Sequence, residues 1–123
     1  MEFEKADNIP SVTWSEDWSH IEIIGNSYGI GISKTYEKIL KIVDEELPNV
    51  ESELLCIFHF RVMNSISMKY IILIFSKLND LFNKGKMIKV IWRYDKGDSD
   101  IREAANELIE FNDFPIDVVA CIN

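Results

Sequence analysis

The sequence predicts a single α/β domain over residues 1–123, with a mixed, mostly parallel sheet and the element order β-β-α-β-α-β-α-β. Three observations predict it. Strand-like runs rich in branched and aromatic residues recur along the chain, stretches with apolar residues at three- and four-residue steps alternate with them, and 123 residues leave no room for a second core. Strands joined by helix-length connections lie parallel and cross over right-handedly, so only the first pair is expected to be antiparallel.

The elements follow in order. Residues 9–14 (IPSVTW) and 20–24 (HIEII) read as short strands, and the polar Ser15, Glu16 and Asp17 between them read as a hairpin loop. Gly25, Gly29 and Gly31 then mark a flexible connection, GNSYGIG, whose spacing is not the GxGxxG of a dinucleotide-binding turn. From Ser33, a suitable N-cap, Tyr36, Ile39, Leu40, Val43 and Leu47 form one apolar helical stripe that Pro48 ends. Residues 53–62 (ELLCIFHFRV) are apolar on both alternating faces, the pattern of a central strand covered by helices on both sides. A second helix starts after the turn at 64–67 and ends near Asn83, with Gly85 suited to a left-handed C-terminal position. Its stripe is Ile71, Ile74, Phe75, Leu78 and Leu81; Tyr70, Ile72, Leu73 and Phe82 widen it, as extra core or as a docking surface. In residues 87–94 (MIKVIWRY), Ile88, Val90, Trp92 and Tyr94 share one strand face while Lys89 and Arg93 take the other. Asp98 or Ser99 can cap a third helix carrying Ile101, Ala104, Ala105, Leu108 and Ile109, with Glu103, Glu107 and Glu110 on its solvated side. Residues 116–120 close the sheet.

Charge and composition narrow the function. A formal charge of −8 repels phosphate backbones and anionic lipid surfaces, and the 13 basic residues gather on no one face, so neither nucleic acid nor a membrane is an expected partner. The opening MEFEKADNIP lacks the basic flank and apolar run of a secretory signal, and the apolar run 70–75 is far below the roughly 20 residues a spanning helix needs, so a cytoplasmic protein is expected. Cys56 and Cys121 lie far apart in apolar surroundings and read as buried reduced thiols. His20 and His59 have no second ligand at metal spacing, and His59 reads as a sheet or core histidine. No metal or cofactor is implied. No His/Asp pair stands at a spacing that activates a serine, so an enzyme is not expected.

The stretch MNSISMK, residues 63–69, interrupts two of the most apolar runs in the chain with small polar residues. In a parallel α/β sheet this turn falls at the carboxyl end of a strand, the edge where function concentrates. Asn64, Ser65 or Ser67 can simply cap the following helix, worth about 1 kcal/mol. A hydroxyl there also stands where free amides and the positive helix end favour an anion, so a phosphate, about −1.5 to −2 charges at neutral pH, gains hydrogen bonds, and Lys69 adds a cation one turn on.

Here the sequence resembles a known family. VMNSISMKYIILIFSKLNDL, IKVIWRYDKGDSDIREAANEL and FNDFPIDVV are similar to the SiaC family of bacterial regulatory phosphoproteins, whose segments are an N-T-S-S-x-K turn opening a helix, a W-x-Y strand followed by acidic residues, and a closing F-P-F-like strand. IPSV and HIEIIGNSYGIG resemble that family's T-P-x-V start and G-x-S-Y-P-E-N stretch, so the likeness spans roughly residues 9–119. It implies a STAS-like fold and a non-enzymatic component of a partner-switching pathway. A Ser/Thr kinase would phosphorylate it, a PP2C-like phosphatase would reverse this, and the unmodified form would bind and activate a diguanylate cyclase in cyclic di-GMP and biofilm signalling. Matched position by position, the acceptor falls on Ser65, with Ser67 as second choice and Asn64, Ser67 and Lys69 around it. Tyr28, Tyr70 and Leu73 are the expected partner-facing residues, on the glycine-rich loop and the second helix. Ser65 stands where the family has threonine, Ile66 where it has serine, and Gly29, Ile30 and Gly31 where it has P-E-N. A phosphorylation-independent binding module, with the wide helix face gripping a partner or a second copy, is the alternative.

Overall fold

The computed structural model describes residues 6–122; the opening MEFEK and Asn123, both within the expected 1–123 domain, lie outside the described residues. Strands β1 (Ser11–Trp14), β2 (His20–Ser27), β3 (Leu54–Met63), β4 (Ile88–Asp95) and β5 (Ile116–Cys121) form one sheet in sequence order. Helices α1 (Ile32–Glu45), α2 (Ser65–Asn83) and α3 (Ser99–Phe111) connect the last four strands. Only β1 runs antiparallel, paired to β2; β2, β3, β4 and β5 are parallel neighbours. The architecture is the α/β order expected from the sequence.

Sequence order in space fixes where the helices go. Each right-handed crossover steps the chain one strand further in the same direction, so all the crossovers fall on one face. The register agrees: Ile23, Phe58 and Trp92 form one row and Ile21, Cys56 and Val90 the next, all buried beneath residues of the three helices. Phe58, Phe75 and Trp92 meet at centroid separations of 5.0 to 6.2 Å and fill the centre, joined by Phe60 and Phe114. This corrects the expectation that helices cover β3 on both sides. The second apolar face of β3, Leu55 and Ile57, lies outside that core and is instead roofed by its own neighbours. On that open face Lys89 pairs with Asp117 at 3.1 Å, His20 with Glu22 at 3.2 Å, and His59 Nε2 with Asp95 Oδ1 at 2.9 Å. Long polar side chains thus shield Ile57, which is only 5% exposed. His59 is therefore a sheet-face histidine.

Three boundaries differ from the sequence expectation. β1 begins at Ser11, because Pro10 brings no amide to the ladder, and Ile9 instead makes an isolated bridge with Ala6. β2 continues through Gly25 to Ser27, with a register shift between Gly25 and Ser27, so the connection to α1 shrinks to residues 28–31. Ser33 does not cap α1: the helix starts from Gly31, held at φ 95°, a left-handed geometry that glycine adopts without strain, and Ser33 lies exposed inside the first turn. Asp98 caps α3 through its carboxylate, which accepts from the Ile101 amide at 3.1 Å. In the β1–β2 hairpin, Asp17 accepts from the Ser19 and Ser15 hydroxyls and the Ser19 amide, contacts that hold its carboxyl at about 2.

Cys56 is buried on β3 and Cys121 half-buried on β5 with β4 between them, so both stay free. Burial pushes the Cys56 thiol up to about 12, which leaves it inert. Among the described residues no helix is long and apolar enough to cross a membrane.

Candidate functional site

β3 ends at Met63 on the edge of the sheet where the parallel strands point their carboxyl ends, and α2 begins two residues later. Asn64 is the cap. Its side-chain oxygen accepts from the Ser67 amide at 2.9 Å, and its own backbone N–H donates to the Ser27 carbonyl at 3.2 Å. The turn is thereby bolted to the end of β2 while the first turn of α2 is satisfied.

With Asn64 as cap, Ser65 becomes the first helical residue and its side chain is exposed. Lys69 lies four residues on, on the same helix face, and is exposed too. The geometry at Ser65 is that of an accessible hydroxyl beside the first-turn amides of a 19-residue helix with a cation nearby.

Ser67 is different. It is fully buried, its hydroxyl donates to the Ser27 carbonyl at 2.8 Å, and its oxygen lies 2.6 Å from the Ser27 hydroxyl. Ser27 in turn lies 2.6 Å from the Tyr36 hydroxyl on α1, and Tyr36 stacks on Tyr70 of α2 at 5.2 Å. Burial pushes the Tyr36 phenol up to about 12, so it stays a neutral donor. Ser67, the second-choice acceptor, is thus buried within this network, where its hydroxyl holds the turn to β2, while Ser65 is exposed. Sequence inspection missed this because Ser27 and Tyr36 stand 40 and 31 positions away, and a serine in a polar turn looks exposed.

The expected partner-facing residues divide. Leu73, 44% exposed, continues an outward stripe of α2 with Ile66, 50% exposed, and Tyr70 sits half-buried between them against Tyr36. Tyr28 and Ile30 project from the 28–31 loop, Ile30 almost fully. That loop is pinned from one side by Asn8, whose side-chain amide donates to the Tyr28 and Ile30 carbonyls at 2.8 and 3.1 Å while its backbone carbonyl accepts from the Tyr28 amide. Ile66 and Ile30 lacked any periodic signal marking them as surface. Of the wider face expected for α2, Phe82 is half-buried and packs edge-on against Phe114, and Ile72 is exposed.

A cleft of about 400 Å³ opens elsewhere, at the start of α3, between Tyr94, Lys96, Asp98, Arg102, Ala120 and Ile122. Asp98 is committed there to capping, and the cleft holds no histidine or cysteine that would make Ser99 a nucleophile.

A mixed, mostly parallel sheet in sequence order, with its helices on one face and an exposed serine opening the middle crossover helix, defines a one-sided α/β domain. The family model for the SiaC family regulatory phosphoproteins matches residues 3–121, and the chain belongs to that family. Its fold superposes on a chain of the crystal structure of the diguanylate cyclase SiaD with its activator SiaC from Pseudomonas aeruginosa, with a TM-score of 0.89 at 19% identity, covering 98% of this chain and 99% of that one. Apo-SiaC from the same organism superposes with a TM-score of 0.84 at 18% identity, covering 98% of both chains. No curated protein sequence matches.

Proposed function

We propose that this chain is the phosphorylatable, non-enzymatic component of a cytoplasmic partner switch, with Ser65 as acceptor. A Ser/Thr kinase and a PP2C-like phosphatase set its state, and the unmodified form binds and activates a diguanylate cyclase. The observation that carries this reading is the exposed Ser65 hydroxyl at the first position of α2, capped by Asn64, in a chain whose family is one of regulatory phosphoproteins. Its likeness to a chain of a complex between a cyclase and its activator supports the output partner.

The partner surface comprises Tyr28 on the loop and Tyr70 and Leu73 on α2, with Ile66 beside the acceptor. A phosphate at Ser65 places new negative charge next to exposed apolar side chains, where a partner that covers them must desolvate it. A tenfold change in affinity, or 1.4 kcal/mol, is enough to redistribute a partner present near its Kd.

Incubation with ATP and the cognate kinase, followed by mass spectrometry, is expected to find phosphate on Ser65; phosphate confined to other residues sinks the assignment. Ser65→Ala and Ser65→Asp separate this reading from a phosphorylation-independent module, which the exposed Ile66 and Leu73 alone favour. Cyclase binding that survives the first and falls at least tenfold in the second is expected, whereas indifference to both selects the module. Sedimentation of the two variants reports whether a homodimer forms on the same face.

A further inference from the structure

The three buried hydroxyls admit one arrangement of protons that uses every contact. Ser67 spends its proton on the Ser27 carbonyl, so the Ser27 hydroxyl donates to the Ser67 oxygen and the Tyr36 phenol donates to the Ser27 oxygen. The Ser27 carbonyl also accepts from the Asn64 amide, so both its lone pairs are engaged by the α2 turn. Ser27 is the last residue of β2, and the next residue is Tyr28. The end of β2 therefore has α2 fastened to one side of it and the exposed 28–31 loop continuing from the other.

We propose that Ser27, Ser67 and Tyr36 form a transmission link that carries the modification state of Ser65 to the 28–31 loop. This rests on Ser65 being the modified residue and adds how the change is read at a second segment. A phosphate on Ser65 competes for the first-turn amides, including the Ser67 amide that the Asn64 side chain now occupies. Two acceptors cannot share that donor at full strength, so Asn64 is displaced and its backbone donation to Ser27 weakens. Ser67 shifts with the turn, and Ser27 loses partners on its carbonyl and its hydroxyl together. The loop then keeps its Asn8 tether but loses its anchorage at Ser27, and Tyr28 and Ile30 lose their fixed placement.

Tyr36 is a positioning residue here, because its phenol touches neither Ser65 nor the loop yet completes the hydrogen bonding of Ser27. The Tyr36–Tyr70 stack survives loss of the phenol oxygen, so Tyr36→Phe loosens the link without removing core volume.

Amide hydrogen exchange of the full chain tests the link without any kinase. Phosphoserine is installed at position 65 during translation, in the wild-type background and in Ser67→Ala and Tyr36→Phe backgrounds. In the wild type, phosphoserine is expected to speed exchange across residues 27–31 at least tenfold; in Ser67→Ala the same phosphate is expected to change it less than twofold, with Tyr36→Phe intermediate. A loop that ignores phosphoserine in the wild type, or responds equally in all three backgrounds, overturns the link. Should Ser67→Ala fail to fold, the Tyr36→Phe comparison decides alone: a response as large as in the wild type overturns the link. Because the phosphoserine is incorporated during translation, without a kinase, a negative result here is distinct from failure of a kinase to choose Ser65.

Discussion

α2 and α3 begin in the same way and differ in what lies beneath. Each starts at the carboxyl end of a parallel strand, each has an Asx cap, Asn64 or Asp98, that accepts from the amide three residues on, and each places an exposed serine, Ser65 or Ser99, directly after the cap. At α3 the cap is a carboxylate, Asp100 follows in the first turn, and the residue whose amide is capped is apolar Ile101, whose carbonyl accepts from the Trp92 indole. At α2 the cap is neutral, a lysine follows, and the capped residue is Ser67, wired to β2 and α1. Two negative groups already occupy the positive end of α3, so a phosphate there meets repulsion. The neutral cap of α2 presents no such repulsion, which is why the phosphate is proposed at Ser65 and not at Ser99. On the proposed reading, the charge of the cap and the chemistry of the buried third residue distinguish Ser65 from Ser99.

The largest expected break in this comparison is Ser67→Asp. A carboxylate forced among three hydroxyls in the core lacks a counter-charge, and urea unfolding is expected to show a loss of about 3 kcal/mol or more. A loss under 1 kcal/mol means the network opens to water.

Alkaline pH comes next, because only the α2 start is built on a phenol. The folded Tyr36 holds its proton to about 12 against an ordinary value of 10.0, so the folded state binds more protons between those values. Stability from this group is whole below pH 10 and drains away as pH rises through the window, by about 2 to 3 kcal/mol at its end. The drop is expected to vanish in Tyr36→Phe; its persistence there places the alkaline loss elsewhere.

Exchanging the caps sharpens the comparison. Asn64→Asp gives α2 the negative cap of α3 and is expected to slow kinase modification of Ser65 about tenfold, equivalent to 1.4 kcal/mol, while the chain melts within a few degrees of wild type. An unchanged rate means the kinase does not sense cap charge. Removing either cap, by Asn64→Ala or Asp98→Ala, is expected to have the smallest effect, about 1 kcal/mol each in thermal unfolding. The Asn64 variant is expected to be the worse of the two, since the cap is also the bolt to Ser27.

Much of this was legible in the sequence. Apolar spacing located the helices, because Ile71, Ile74, Phe75 and Leu78 must face one way, and alternation in residues 88–94 separated Trp92 from Arg93. The turn at Ser65 was legible because polar residues between apolar runs mark a strand-to-helix junction. The one-sided layering was not, since β3 is apolar on both faces whether helices or long side chains cover the second. The start of α1 was missed because the helix begins from a glycine at positive φ with no side-chain cap, so no polar residue marks it. The role of Ser67 was hidden because it depends on partners brought near only by the fold.

Every strand lies beside the one made before it, and this bears on how the chain acquires its shape. No late segment must insert between two earlier ones, so pairings form between parts of the polypeptide that are close in sequence, and the loop-closure entropy stays low. As it leaves the ribosome, the growing chain can add one strand and its crossover at a time to an existing edge. The setting of Ser65, at the end of β3 beside β2, therefore comes from pairings in which β5 takes no part.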